Sequence, residues 1–224
     1  MRVVLAMILL WSCWHGVAAA TLSVRAGNIY LEEGGHLRRL TDLGRDFDAT
    51  LSPDHEFIAF TRKNSRAARE DDQECKTGAA GDQLRLIEVD GHHDRLLVAS
   101  RANREPEKQL CGFYDKQFIS DGSKLFFLSP AYATSNALQV YDFASKTVSF
   151  IAPANDLIVL NFCKGKHRDQ LVLNQHRYFL GGGSYDWYWL FDRSGHKKIG
   201  PVADDKTKRQ EVVQEAREMI CGSD

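Results

Sequence analysis

The chain has 224 residues, 43% hydrophobic and 26% charged, the mixture of a folded domain rather than a disordered one. Lys and Arg number 29 against 30 Asp and Glu, which argues against a nucleic-acid binder that works by bulk charge. Mean hydropathy is -0.37 and the long apolar run is confined to the N-terminus, which excludes a multi-span membrane protein.

Met1 and Arg2 form a short positive start, followed by the apolar run Val3–Trp11 and the small-residue pair Ala18-x-Ala20. That pattern is a secretory signal, with cleavage expected after Ala20. The run is too short for a permanent membrane anchor. A rival site, Leu10-Trp11-Ser12-Cys13, resembles a lipobox and would place a lipid on Cys13, but Trp11 fits it poorly. Either route exports residues 21–224 to a periplasmic or secreted location. Five cysteines occur, and Cys75, Cys111, Cys163 and Cys221 remain after the signal. An even number in an exported chain implies two disulfides, with three pairings open. Cys75 and Cys111 each lie in a polar insertion and are paired on that ground. Cys163 then joins Cys221 and ties the C-terminus to the body. Their spacings are not those of a zinc site, and no metal or other cofactor is expected.

The exported part reads as short alternating strands separated by turns. Asn28–Leu31 is a strand, Glu33–His36 turns it, and Leu37–Leu40 returns. Leu51-Ser52-Pro53-Asp54-His55-Glu56 is then a turn, leading into the strand Phe57–Thr61. The order recurs with strand Leu84–Val89, turn Asp90–His93, return Arg95–Val98, and a second turn-and-strand over Phe118–Leu128. It recurs again over Leu138–Phe143 and Thr147–Ile151, with a weaker closing copy at Lys166–Leu173. A fourth unit, Trp187–Asp192 with the return Lys197–Ile199, has no closing segment. Asp90, Asp142 and Asp192 mark a period near fifty residues, the pattern of four-stranded blades that bury their faces by stacking around an axis.

Leu51-Ser52-Pro53-Asp54-His55-Glu56-Phe57-Ile58-Ala59-Phe60 resembles the signature segment of TolB-like propeller repeats, also called PD40 or WD40-like repeats. Ile119-Ser120-Asp121-Gly122-Ser123-Lys124-Leu125-Phe126-Phe127 resembles it again without the proline. The resemblance implies an all-β, small TolB-like β-propeller of about four blades, closed or incomplete, over residues 21–203. Its turn residues are structural rather than catalytic. His55 stands where the family has Gly, so that turn is expected to be reached differently. An open arc would leave edges for a second protein to cover.

Three pieces fall outside the blades. Arg62–Asp82 and Arg101–Gln109 are charged insertions, read either as solvated hairpin extensions or as partner-binding arms. Asp204–Ile220 is expected to be a helix capped by Asp204 or Asp205, with Val212, Val213, Ala216, Met219 and Ile220 on its docked face. Before the aromatic strand of the fourth unit, Gly181-Gly182-Gly183-Ser184 is a turn without the Lys of a phosphate loop. In that strand Tyr185, Trp187 and Trp189 share one face, weighted toward the core, with a protein or carbohydrate contact as the alternative.

Nucleophile-elbow and HExxH motifs are absent from the sequence, and Ser120-Asp121-Gly122-Ser123 fails as SxxK because no Lys stands three places on. His92-His93 lacks a nameable third metal ligand, and Asp48, Asp54, Asp115 and Asp121 are assigned to turns. The chain is therefore expected to bind another protein rather than to catalyse. Candidate contacts are Arg66, Arg69, Glu70, Asp71, Asp72, Arg101, Arg104, Tyr185, Trp187 and Trp189. An inhibitor or immunity protein against a secreted toxin or cell-wall hydrolase fits a small exported domain. An accessory subunit of an envelope complex, or a carbohydrate-binding or hydrolytic propeller, are the alternatives.

Overall fold

A computed structural model describes residues 20–64, 81–204 and 206–223. The signal segment lies outside the described residues, apart from Ala20, as do Arg66, Arg69, Glu70, Asp71, Asp72, Cys75 and the alternative helix cap Asp205.

Four antiparallel meanders follow one another along the chain. The first contains β1 (Thr21–Arg25), β2 (Asn28–Glu33) and β3 (His36–Arg39). The second contains β4 (Asp46–Leu51), β5 (Phe57–Arg62), β6 (Gln83–Glu88) and β7 (Arg95–Ala99). The third is built from β8 (Tyr114–Phe118), β9 (Lys124–Pro130), β10 (Asn136–Asp142) and β11 (Thr147–Ala154). The fourth is built from β12 (Asp156–Val159), β13 (Leu171–Tyr178), β14 (Ser184–Phe191) and β15 (Lys198–Ala203). Each sheet is a blade whose faces must be buried against neighbours.

The sequence repeat is out of phase with the blades. Its polar hairpin turns join β2 to β3, β6 to β7, β10 to β11 and β14 to β15, the last two strands of each sheet. Its Ser-Pro-Asp and Ser-Asp-Gly turns join the first strand of the second and third sheets to the second strand. Each repeat unit as read therefore straddles two blades. The fourth unit stays incomplete because the segment it lacks would begin another blade. By the same register, the first sheet has no counterpart of β4, β8 and β12 among the described residues, and β1 lies against β4 in that inner position.

Alternation of apolar and polar residues builds an apolar layer at each junction. Ile29, Leu31 and Leu40 pack with Ile58, Phe60 and Ile87 between the first two sheets. Ala59, Leu84 and Leu86 meet Phe113, Leu125, Phe127 and Tyr141 between the next two. Leu128, Leu138 and Val140 meet Leu157, Leu171 and Leu173 at the third junction. The far face of the fourth blade (Ile158, Val172, Tyr188, Leu190) is covered by Val212 and Ala216 of the C-terminal helix. A disulfide between Cys163 and Cys221, with Cα atoms 5.0 Å apart, pins that helix as expected. Cys111 is also disulfide-bonded.

A second layer of order runs down the inner strands. Asp48 and Asp115 are not turn residues; each sits at a bulge in its strand with φ of 48° and 49°. There each carboxylate reaches the next blade. Asp48 accepts the Asp115 N–H at 3.1 Å and the buried Lys116 ammonium at 2.5 Å. Asp115 accepts the Leu157 N–H at 3.2 Å. At the open end Arg209 donates to both Asp115 oxygens and to Asp156, in the place a further blade would occupy.

Several local expectations change. The His55 turn is the same as its partner turn: His55 adopts φ 60° where Gly122 has φ 72°, and each N–H bonds the residue three back at 3.0 Å. The helix, α1, starts only at Arg209 and runs to Glu215. Asp204 forms a turn of its own, accepting from Lys206 N and Thr207 Oγ1, and Glu211 closes the helix start by accepting the Lys208 N–H at 3.1 Å. A wider turn over Ala216–Ile220 shifts the phase and leaves Met219 68% exposed, off the docked face. Arg62 belongs to β5 rather than to the insertion. It is buried, bidentate to Asp46 at 2.6 and 2.8 Å, and bonded to Asp94.

Candidate functional site

β13 and β14 each have eight residues, twice the length of β12, so their hairpin overhangs the blade. The register pairs Leu173 with Trp189, Gln175 with Trp187 and Arg177 with Tyr185. Directly paired residues share a face. The face that is core at Leu173 therefore continues through Trp189, which packs against the third-junction core, to Trp187 and Tyr185. Gln175 marks the transition, its amide donating to Pro153 O at 2.9 Å. On the opposite face Tyr188 and Leu190 are buried under the helix, and the Tyr188 hydroxyl donates to Asp156 at 2.8 Å.

The aromatic face is half-buried rather than core. Ring centroids step by 4.6 Å from Phe179 to Tyr185, 5.4 Å to Trp187 and 5.9 Å to Trp189. The hairpin then turns through Gly182 and Gly183, whose φ values of 96° and 83° suit glycine. Its tip carries Tyr178, Phe179 and Leu180, respectively 69%, 56% and fully exposed. Three consecutive apolar side chains held out on a hairpin are the feature a soluble domain hides unless it uses them.

Two cations flank the base of the ladder. The Lys198 ammonium lies 3.9 Å from the Trp189 ring centroid, and the Arg177 guanidinium 5.5 Å from it. Desolvation and the charge of Arg177 pull the Lys198 ammonium below the ordinary lysine range. Arg177 Nη2 donates to Gln175 at 2.5 Å, while Arg177 Nε and Trp189 Nε1 are buried without a hydrogen-bond partner.

The structure thus brings Tyr185, Trp187 and Trp189 together with Arg177, Lys198 and Phe179, which sequence reasoning missed. Arg177 is a same-face neighbour only through the β13–β14 register. Lys198 is a diagonal neighbour of Trp189 through its pairing with Phe191, in a strand whose register shifts on either side of Trp189–Leu190. Arg101 and Arg104 are exposed on a separate loop. That loop is less an arm than a stitched segment: Arg101 bridges Leu110, Gln109 donates to Pro130 O at 3.2 Å, and Gln139 donates to Glu107 O at 2.9 Å.

Elsewhere, a cleft of about 380 Å³ between β3 and the second blade is lined by Arg39, Asp42, Arg62 and Asp94. Arg62 there is already saturated by Asp46 and Asp94. Among the described residues no group of three or more His, Cys, Asp or Glu is placed to hold a metal ion, and no helix is long and apolar enough to cross a membrane.

No protein-family model matches the sequence, and no curated protein matches it. Solved structures do resemble the fold. TolB from Acinetobacter baumannii superposes with a TM-score of 0.51 at 10% identity, over 85% of this chain and 44% of that one. An oligogalacturonate lyase from Vibrio parahaemolyticus gives 0.51 at 12% identity, over 81% and 43%. A chain of the nidogen/laminin complex gives 0.50 at 13% identity, over 84% and 59%. The chain spans about half the length of these structures. The likeness establishes the fold: an all-β, TolB-like propeller arrangement of four sheets with one short C-terminal helix.

Proposed function

We propose that the chain is an exported, non-enzymatic protein-binding module, and that the β13–β14 hairpin is its contact. The observation that carries this is the tip Tyr178-Phe179-Leu180, held out by a glycine turn and continuous with Trp187. Aromatic anchors beside aliphatic ones are what protein interfaces bury. Export is supported by the signal-like N-terminus and by the Cys163–Cys221 disulfide. Within this class, an inhibitor or immunity protein facing a secreted toxin or hydrolase fits a small exported domain. The likeness to TolB favours the second reading, an accessory subunit of an envelope complex.

The test is affinity capture by the oxidised protein from envelope and secreted fractions, run beside Phe179→Ser and Leu180→Ser. Both variants are expected to fold normally, since the two side chains lie outside the core, and to lose the stoichiometric partner. Equal capture by wild type and variants overturns the hairpin as the contact. Inhibition of a captured hydrolase separates the inhibitor from the accessory subunit.

A further inference from the structure

We propose that the foot of the hairpin is a carboxylate-binding subsite, and that the partner presents an acidic peptide segment whose Asp or Glu seats on Lys198 beside Trp189 and Arg177. This rests on the hairpin being a protein contact and adds the chemistry of what meets it.

Several cations at the blades are answered by carboxylates, Arg62 by Asp46 and Asp94, Lys116 by Asp48, Arg209 by Asp115 and Asp156, while Arg25, Arg95 and Arg217 each lie alone over a ring. Arg177 and Lys198 differ. Their shared partner is the Trp189 indole, and among the described residues no carboxylate stands within ion-pair distance of either. Two like charges on one ring repel each other, and a third, negative group relieves both. Beneath the surface, Arg177 Nε and Trp189 Nε1 are N–H donors without acceptors, so their dipoles add to the positive field rather than cancel it. Lys198 supplies the accessible hydrogen bonds. Its ammonium is already held over the indole, which reduces the ordering cost of a charge-assisted bond.

Shape selects the class of anion. Successive rings meet at interplanar angles of 67° and 31°, one pair edge to face and one tilted, rather than laid out in one plane. A row of sugar rings needs a flat run of ring faces, whereas a peptide side chain needs a single notch. The apolar tip, separated from the subsite by Tyr185 and Trp187, supplies the remaining contact of a protein segment, with Leu180 and Phe179 as anchors.

The test uses the tryptophan fluorescence of the oxidised protein, titrated with poly-L-glutamate at low and at high salt. Poly-L-glutamate is expected to perturb the emission saturably, with an affinity that falls as salt rises. Lys198→Gln should weaken it at least tenfold, and Lys198→Arg should retain it. Arg177→Gln should weaken it severalfold, and circular dichroism checks that each variant is folded. Leu180→Ser should leave it within twofold, since the polymer has no apolar anchor. Absence of saturable binding, or equal binding by Lys198→Gln, overturns the proposal. Tighter binding of polygalacturonate than of poly-L-glutamate overturns it in favour of an acidic glycan. If capture still depends on Phe179 and Leu180 while Lys198→Gln captures normally, only the acidic segment fails and the hairpin contact stands. If the polymer binds through Lys198 but capture ignores the tip, the hairpin reading fails instead.

Discussion

At the level of single residues, the two signature turns show what local sequence encodes and what it does not. In one, Ser52 donates to Asp54, and Asp54 accepts the Glu56 N–H at 3.1 Å; in the other, Asp121 accepts the Ser123 N–H at 2.9 Å. These bonds span two residues, so the turns were legible. Asp48 and Asp115 were misread as turn residues because what they bond lies far along the chain: Asp48 meets the Asp115 N–H 67 positions away. His55 is the informative case. A side chain with a Cβ pays roughly 1–2 kcal/mol to sit in the left-handed region, although His tolerates it better than most. Glycine would remove that strain and give back part of the gain through a looser unfolded chain. His55→Gly is therefore expected to stabilise the fold by about 0.5–1 kcal/mol, raising the thermal midpoint by a few degrees in a scan beside wild type. A lower midpoint would show that the exposed His55 side chain contributes more than its backbone strain costs.

At the level of elements, strands and hairpins were legible because apolar alternation and polar turns are local properties. Blade phase was not, because which strand lies innermost is decided by packing between sheets. The helix start was misplaced for a related reason: Asp204 caps a turn as readily as a helix, and only Glu211 behind Lys208 fixes the true beginning. The same helix carries Arg209, the last rung of the carboxylate ladder. Burial raises the Asp156 carboxyl above its ordinary range while Arg209 and the Tyr188 hydroxyl pull it back down. Removing the cation by Arg209→Met leaves Asp115 and Asp156 facing each other. Arg209 is 43% exposed, so water softens the loss to about 1–2 kcal/mol rather than the larger cost of a sealed pair. The pH dependence has a definite sign. With the folded-state value of Asp156 raised further, the folded chain holds a proton that the unfolded chain releases, so the variant loses stability as pH climbs from about 4 toward neutrality. Urea melts of Arg209→Met and wild type at pH 4 and pH 7 measure this, and a destabilisation equal at both values would remove Asp156 from the account.

At the scale of the whole molecule, the outer faces of the first and last of the four described sheets differ. Stacked repeats need ends that do not offer another apolar face. One end is the first sheet, whose outward face pairs Ser23, Tyr30 and Arg39 across the register and is polar. The other is the fourth blade, whose outward face is apolar and would pair with a further blade or a second copy if it were bare. The C-terminal helix covers it, and the Cys163–Cys221 bond holds the helix down across a separation of 58 residues. In the chain-entropy account a loop of that size gives about 4 kcal/mol. The face it protects includes Ile158, Val172, Tyr188 and Leu190, each contributing about 1.5–3 kcal/mol when buried. Loss of the disulfide alone, in Cys163→Ser with Cys221→Ser, should lower stability by up to that 4 kcal/mol and leave the helix docked. Ending the chain at Ala203 should go further, exposing the face and giving stronger concentration-dependent association and hydrophobic-dye binding than the full chain shows. Light scattering at two concentrations separates the outcomes. A truncated chain that stays monomeric and melts like the full one would mean that the fourth blade closes on something other than its helix.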